Sequence, residues 1–406
     1  MVFLEMRIYP EIYTGGIQGC PDGAVFYAHP PFGRRTKTVP IRMTRRVYDY
    51  ACASARFTGR GFRYWDRCGF QACGFTRPWF EALLKGWRTV IDYPPERPLK
   101  SSGFVSSEES RRAHKNAIVR SGHGPNEPIE KAAILDVRKT ATEDVPFAYE
   151  AARKNGLCAG FQLWMENLPE LSADQVDLLV LPPLEGVSRK YLEAIRKLHA
   201  QGVHLLAFED VPGLEDLFGV TDTGTYRNVT HLAARKDFLG GMTEFCEEPL
   251  CRGKYKAKDA EILIDAEIPV LMLKRNGKAL AAFFNVPPML VREDQLHERL
   301  GYGKDGISEL IERATAEVMR KMSDAEVSST GGRLIAYHSG NGADVVIVTN
   351  PDEEAVLTPE ITIRKRKGRR KIVSSDKPFF LLEDTPAYLK ARVRLEPEET
   401  AVLILG

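Results

Sequence analysis

From residue 129 the sequence takes up a rhythm in which short apolar runs alternate with amphipathic stretches of helical spacing. Residues 132–137, 161–165, 176–181 and 203–208 read as buried strands. Residues 143–154 form an amphipathic stretch that stops at Asn155-Gly156, and a second helix, capped by Ser188, runs to Gln201 and ends at Gly202. Strands spaced by helices imply a parallel sheet with helices on both faces, because parallel neighbours need a long crossover. Gly277 marks a hairpin between residues 270–274 and 279–285, and residues 307–322 read as a last helix. The rhythm ends at Ser323. Beyond it, runs at 334–338, 344–349, 355–364, 371–374, 379–383, 388–395 and 401–405 are separated by turn residues. Seven short strands in about 83 residues predict a small β-sandwich.

The first 128 residues are rich in aromatics, arginine and glycine. Residues 3–9 and 61–65 read as strands, and 44–57 and 78–87 as helices. A proline-rich exit at 92–98 leads into a polar linker that ends at 121–126. Three domains follow from these boundaries, at 1–128, 129–323 and 324–406, as a chain of 406 residues leads one to expect. The overall class is α/β plus all-β.

Lysine and arginine (57) nearly balance aspartate and glutamate (55), so no global field draws the chain to nucleic acid or to an anionic membrane. No apolar run approaches the ~20 residues of a membrane span. Seven scattered cysteines suit reduced thiols in a cytoplasmic protein better than a disulfide framework.

The order of these parts resembles the back half of a β-galactosidase-type glycoside hydrolase. Asp177-Leu178-Leu179-Val180-Leu181-Pro182-Pro183 and Leu214-Glu215-Asp216-Leu217-Phe218-Gly219-Val220 resemble the middle domain of such enzymes. Arg60-Gly61-Phe62-Arg63-Tyr64-Trp65-Asp66 is similar to the last barrel strand, and Ile8-Tyr9-Pro10-Glu11-Ile12-Tyr13-Thr14-Gly15-Gly16 to the end of the seventh. The resemblance implies the end of a (β/α)₈ barrel in residues 1–128. A flavodoxin-like, doubly wound, glutamine-amidotransferase-like domain that supports homo-oligomer formation follows, and a β-sandwich closes the chain. It also implies a carbohydrate substrate and no cofactor. A whole barrel takes ~250 residues; about 128 precede the middle domain here, room for two βα units, so an incomplete catalytic chain is expected.

On that resemblance Glu11, after an apolar strand, stands where a retaining glycosidase holds its nucleophile, since strand ends line the active-site face. Outside the resemblance it reads as a capping or salt-bridged loop carboxylate. Trp65 offers an indole face to a pyranose, and Asp66 a carboxylate to its hydroxyls. Tyr13, Tyr27 and His29, in the loop after the first strand, line the same pocket. Each of these five also has an ordinary structural role open to it. The second carboxyl group that hydrolysis needs lies, in the resembled enzymes, on an earlier strand.

Three rival chemistries are weaker. Glutamine hydrolysis needs a cysteine on a strand-to-helix elbow, and the 203–208 strand is followed by Glu209-Asp210-Val211-Pro212-Gly213. The pairs Cys68/Cys73 and Cys246/Cys251 lack a histidine at ligand spacing, so no metal site is expected. The basic run from Arg364 to Lys371 reads as a solvated β-hairpin turning at Gly368. A non-catalytic interaction protein that keeps the accessory domains is the alternative to the hydrolase.

Overall fold

The computed structural model describes residues 3–6, 25–28, 62–64, 95–107, 161–245, 251–286, 308–350, 355–365, 370–397 and 399–406, with isolated positions between 89 and 157. The helices expected at 44–57 and 78–87 and the strand at 132–137 lie outside the described residues. Strands β1 (Phe3–Met6), β2 (Val25–Ala28) and β3 (Phe62–Tyr64) form one sheet in that order, with both pairings parallel. The two strands read from the sequence, at 3–9 and 61–65, are thus not direct neighbours. The four-residue run Val25-Phe26-Tyr27-Ala28, too short to stand out by periodicity, lies between them. After β3 come β4 (Pro95–Pro98) and β5 (Ser101–Ser106), inside what read as exit and linker.

The chain divides into two compact units, one of residues 1–103, 152–163 and 324–406, the other of residues 104–151 and 164–323. The second unit is built on a mixed sheet. Its strands are β7 (Val176–Leu181), β8 (His204–Phe208), β10 (His231–Ala234), β11 (Thr243–Phe245), β13 (Glu261–Asp265), β14 (Leu271–Asn276) and β15 (Ala279–Phe284). The order is β11-β10-β13-β14-β15-β8-β7; one further strand, β6 (Phe161–Trp164), precedes β7 in the chain. Pairings β7–β8 and β8–β15 are parallel, whereas β15–β14, β14–β13, β13–β10 and β10–β11 are antiparallel. The parallel order expected of strands spaced by helices holds for β7, β8 and β15, while the remainder is antiparallel, as the expected hairpin at Gly277 between β14 and β15 already requires. A separate two-stranded ribbon pairs β9 (Val220–Val229) with β12 (Cys251–Ala257).

Every residue of β7 is buried, as is every residue of β15, and this explains runs that are apolar throughout in β15, and but for Asp177 in β7, where a half-exposed strand would alternate. Helix α1 (Arg189–Ala200) buries Tyr191, Ala194, Ile195, Leu198 and His199, a spacing of three, four, seven and eight residues. Ser188 stands at its N-cap, yet its side chain does not cap. Glu109 does that work: it accepts from the Ser188 backbone N–H at 2.6 Å and from the Ser188 hydroxyl. Beyond the short helix α2 (Glu215–Phe218), helix α3 (Glu309–Met322) repeats the device. Ser308 Oγ accepts from the Ile311 N–H at 3.1 Å and donates to Glu244 at 2.7 Å, while Leu310 N–H donates to the same carboxylate at 2.9 Å. A carboxylate at a helix N-terminus satisfies open N–H groups and meets the positive end of the helix dipole.

His199 is buried at the end of α1, with Nδ1 2.8 Å from the Val203 carbonyl and Nε2 2.9 Å from Asn276 Nδ2. Nδ1–H therefore donates and Nε2 accepts, which fixes the neutral ring. Burial pulls its pKa below 6.5, against the pull of the Val203 hydrogen bond. The unfolded chain takes up a proton that the folded one refuses, so the stability present above about pH 6.5 falls as the pH drops through it. Urea midpoints of the wild type should decline from pH 7 to pH 5, and His199→Gln should flatten part of that slope; an unchanged slope would refute the assignment.

The β-sandwich of the first unit pairs a four-stranded sheet with a five-stranded one. The first has the order β16 (Val327–Ser329), β19 (Glu360–Arg364), β22 (Tyr388–Val393) and β21 (Phe379–Asp384). The second runs β20 (Ile372–Ser375), β23 (Thr400–Leu405), β18 (Asp344–Thr349), β17 (Arg333–Ser339) and β4. Val346, Val348, Leu403 and Leu405 join Ile361, Ile363, Leu389 and Ala391 in the core between the sheets. The alternate residues Val345, Ile347, Val402 and Ile404, with Tyr337, are buried on the other face of the five-stranded sheet.

The basic run is not a hairpin. It joins β19 in one sheet to β20 in the other. Arg364 pairs with Asp324 and Lys365 with Asp384. Arg370, only 12% exposed, reaches Asp344 at 2.7 Å and Glu326 at 2.9 Å. Alternation around a glycine looks the same in sequence whether the chain folds back in one sheet or crosses to another.

Candidate functional site

Of the residues singled out for sugar chemistry, Glu11, Tyr13, His29, Trp65 and Asp66 lie outside the described residues. Tyr27 stands inside β2, opposite Glu5 of β1 and Arg63 of β3, rather than in a loop. Because all three strands are parallel, their C-terminal ends share one sheet edge. The ends of β1 and β3 are two strand spacings apart, about 10 Å.

In the second unit the chemistry-bearing side chains gather at the C-terminal ends of β7, β8 and β15, the edge at which open α/β sheets bind ligands. Here β8 ends in a tight turn. Asp210 N–H donates to the Phe208 carbonyl at 2.7 Å, and Glu209 between them has φ +61°. Non-glycine residues rarely occupy that region, and a three-residue turn of this kind is strained. Glu209 N–H donates to the Phe284 carbonyl at 2.7 Å, which ties the turn to β15. This is the elbow position where glutamine hydrolysis would need a thiol, and a buried carboxylate occupies it.

Asp210 is the hub. Its Oδ1 lies 2.6 Å from Lys254 Nζ and accepts the Tyr255 hydroxyl at 3.2 Å; its Oδ2 accepts the Tyr226 hydroxyl at 3.4 Å. The Tyr255 oxygen in turn accepts from Val211 N–H at 3.3 Å. Lys254 also reaches Asp222 at 3.2 Å and lies 5.4 Å from the centres of both tyrosine rings. Burial first, and then the Asp210 charge, push both phenols above their ordinary range. Burial opposes the Lys254 ammonium, but the charge and hydrogen bond of Asp210, with the two tyrosines, outweigh it and hold the group above its usual value. Groups so far from neutrality are poor proton donors or acceptors at pH 7. The constellation binds the ribbon to the sheet.

Asn285, just past β15, completes the joint. Its Oδ1 accepts from Lys254 and Tyr255 N–H at 3.2 and 3.0 Å, and its Nδ2 donates to the Tyr255 and Pro269 carbonyls at 2.7 and 2.8 Å. All the bonds an amide offers are made. Gly253 makes the approach possible: a Cβ there would lie 2.6 Å from the Asn285 carbonyl oxygen. Sequence reasoning missed this cluster, since Asp210, Lys254 and Asn285 follow no spacing; the one signal was the Glu209-Asp210 pair after an apolar strand. Among the described residues no group of three or more metal-ligating side chains assembles, and no helix is long and apolar enough to cross a membrane.

No protein-family model matches the sequence, and no curated protein matches it. Solved structures do share its fold. A β-galactosidase from Bacillus circulans sp. alkalophilus superposes with a TM-score of 0.57 at 13% identity, over 94% of this chain and 60% of that one. An α-L-fucosidase isoenzyme 2 from Paenibacillus thiaminolyticus gives 0.54 at 12%, over 94% and 60%. A β-galactosidase from Rahnella sp. R3 gives 0.53 at 14%, over 93% and 54%. The chain thus spans 60% or less of the length of these three structures, and the match fits a C-terminal part of a β-galactosidase-like protein.

Proposed function

We propose that the chain belongs to a glycoside hydrolase that acts on carbohydrate, and that it supplies the end of a (β/α)₈ barrel, a flavodoxin-like spacer domain and a closing β-sandwich. The observation that carries the reading is the likeness across 94% of the chain to the Bacillus circulans β-galactosidase. Two features support it. The parallel order of β1, β2 and β3 suits neighbouring barrel strands. The spacer's elbow carries Glu209 in place of a thiol, so its role is structural support and homo-oligomer contacts rather than glutamine hydrolysis. In this reading Glu11 is the nucleophile, and Tyr13, Tyr27, His29, Trp65 and Asp66 line the sugar subsite. The substrates that the names of the matched β-galactosidase and α-L-fucosidase imply, galactosides and fucosides, are the first to test.

With the rest of the barrel supplied, nitrophenyl galactosides and fucosides should be hydrolysed, and in that complete enzyme Glu11→Gln should lower kcat at least about a thousandfold with the thermal unfolding midpoint unchanged. The swap keeps shape and removes only the charge. Hydrolysis that survives Glu11→Gln would remove the nucleophile assignment. A complete enzyme that stays inert on the whole panel would favour the second reading, a non-catalytic interaction protein.

A further inference from the structure

The parallel sheet of β1, β2 and β3 sorts its residues by face. Its register aligns Leu4, Phe26 and Phe62, then Glu5, Tyr27 and Arg63, then Met6, Ala28 and Tyr64. Successive residues of a strand belong to opposite faces. Glu5, Tyr27 and Arg63 therefore stand in one row on one face, and the other two rows share the opposite face. Among the described residues of this sheet, Glu5 and Arg63 are the charged ones, and they fall on the same face and in the same row.

The two faces of a barrel segment differ in what they tolerate. Helices cover the outer face, where a carboxylate and a guanidinium would leave water at high cost. The inner face opens at the C-terminal ends of the strands, where (β/α)₈ enzymes hold their substrates. The row lies at that end, one position before the last residue of each strand.

We propose that Glu5, Tyr27 and Arg63 form one substrate-facing row, in which Glu5 acts on sugar hydroxyls as an ionised carboxylate and Arg63 is the positioning residue whose charge sustains it. The proposal rests on the glycoside hydrolase reading and adds Glu5 and Arg63 to it. The two residues are two strand spacings apart, about 10 Å. Opposite unit charges at that separation, at an effective dielectric constant near 20, shift a carboxyl group by about one pH unit. Tyr27 and Arg63 are the titratable groups in the row with Glu5, and Tyr64 stands on the other face. A phenol titrates near pH 10, so through the acid range Arg63 sets the charge beside Glu5.

The face is tested in the full chain by single cysteines at neighbouring positions of the same strands. Glu5→Cys and Tyr27→Cys should react with a charged methanethiosulfonate at least about tenfold faster than Met6→Cys and Ala28→Cys, as peptide mass mapping would show. Equal rates, or the reverse order, would overturn the shared open face. The roles are tested in the complete enzyme. Glu5→Gln should lower kcat/KM at least about a hundredfold, because hydrogen bonds to sugar hydroxyls strengthen in the transition state. Arg63→Met removes the cation, so the acidic limb of the kcat/KM profile should move to higher pH by about one unit, and Arg63→Lys should leave it in place. An active enzyme indifferent to Glu5→Gln, or a limb that Arg63→Met does not move, would overturn the row and leave the hydrolase reading standing. A complete enzyme inert on every glycoside would overturn the hydrolase reading, and the roles of Glu5 and Arg63 with it.

Discussion

A chain cut to residues 324–406 is expected to lose cooperative folding, although it contains eight of the nine strands of the sandwich. The missing strand is β4, paired antiparallel with β17 through Arg97 opposite His338. Leu99, 1% exposed, is part of the core between the sheets, and its N–H donates to the Ala336 carbonyl at 3.1 Å. Both main-chain groups of Lys100 are held by Glu326: its carbonyl accepts Glu326 N–H at 2.9 Å and its N–H donates to the Glu326 carboxylate at 3.2 Å. Tyr93 packs on the second apolar face of the five-stranded sheet, and its carbonyl accepts the Tyr337 hydroxyl at 3.0 Å. Burying one leucine is worth about 2 kcal/mol, and a domain of this size holds only about 5–15 kcal/mol in total. Removing the strand, the leucine and the cover of a second face together exhausts that margin. Fusing residues 89–103 ahead of Asp324 through a short flexible linker should restore a sigmoidal urea transition. Equal midpoints for the two pieces would show that β4 is dispensable.

Lys254→Met should destabilise the second unit by about 3 kcal/mol, because it strands the Asp210 carboxylate, with a side chain 4% exposed, away from its counter-charge. Lys254 is itself 19% exposed, so solvent screens the pair little. The two phenols still donate to Asp210 in the variant, but a hydrogen bond from a neutral group does not cancel a buried charge. Adding Asp210→Asn should recover a large part of the loss, and the difference between single and double variants measures the coupling. A loss under about 1 kcal/mol would place the pair with ordinary surface salt bridges.

The elements that periodicity encodes were legible in the sequence. Helix α1 announces itself through Tyr191, Ile195 and Leu198, β7 through a run that is apolar but for Asp177, and the β14–β15 hairpin through Gly277 at φ +61°. The elements missed owe their place to partners far along the chain. Strand β4 carries two prolines, which an edge strand tolerates and a reader of local pattern takes for a loop. Strand β5 begins Ser101-Ser102, whose side chains are buried, so polarity misled there. The ribbon β9–β12 is rich in threonine, arginine and lysine, and only its joint to Asp210 and Asn285 shows why it pairs. Of the candidate site, the sequence marked strand ends and carboxylates; it could not mark the Asp210–Lys254 pair, 44 residues apart in sequence.

The pairing of Arg97 with His338 also sets a clock on synthesis. A ribosome adds about 5–20 residues per second, so roughly 12–48 s elapse after β4 emerges before β17 exists to receive it. Throughout that interval Tyr93 and Leu99 lack their partners, while the residues of the second unit are made and can close upon themselves. The nascent chain therefore holds an early strand in waiting around a later-finished insert. Slowing translation lengthens the exposure rather than relieving it, and a holdase that shields residues 89–103 should raise the yield of native protein more than any aid offered to the C-terminal strands.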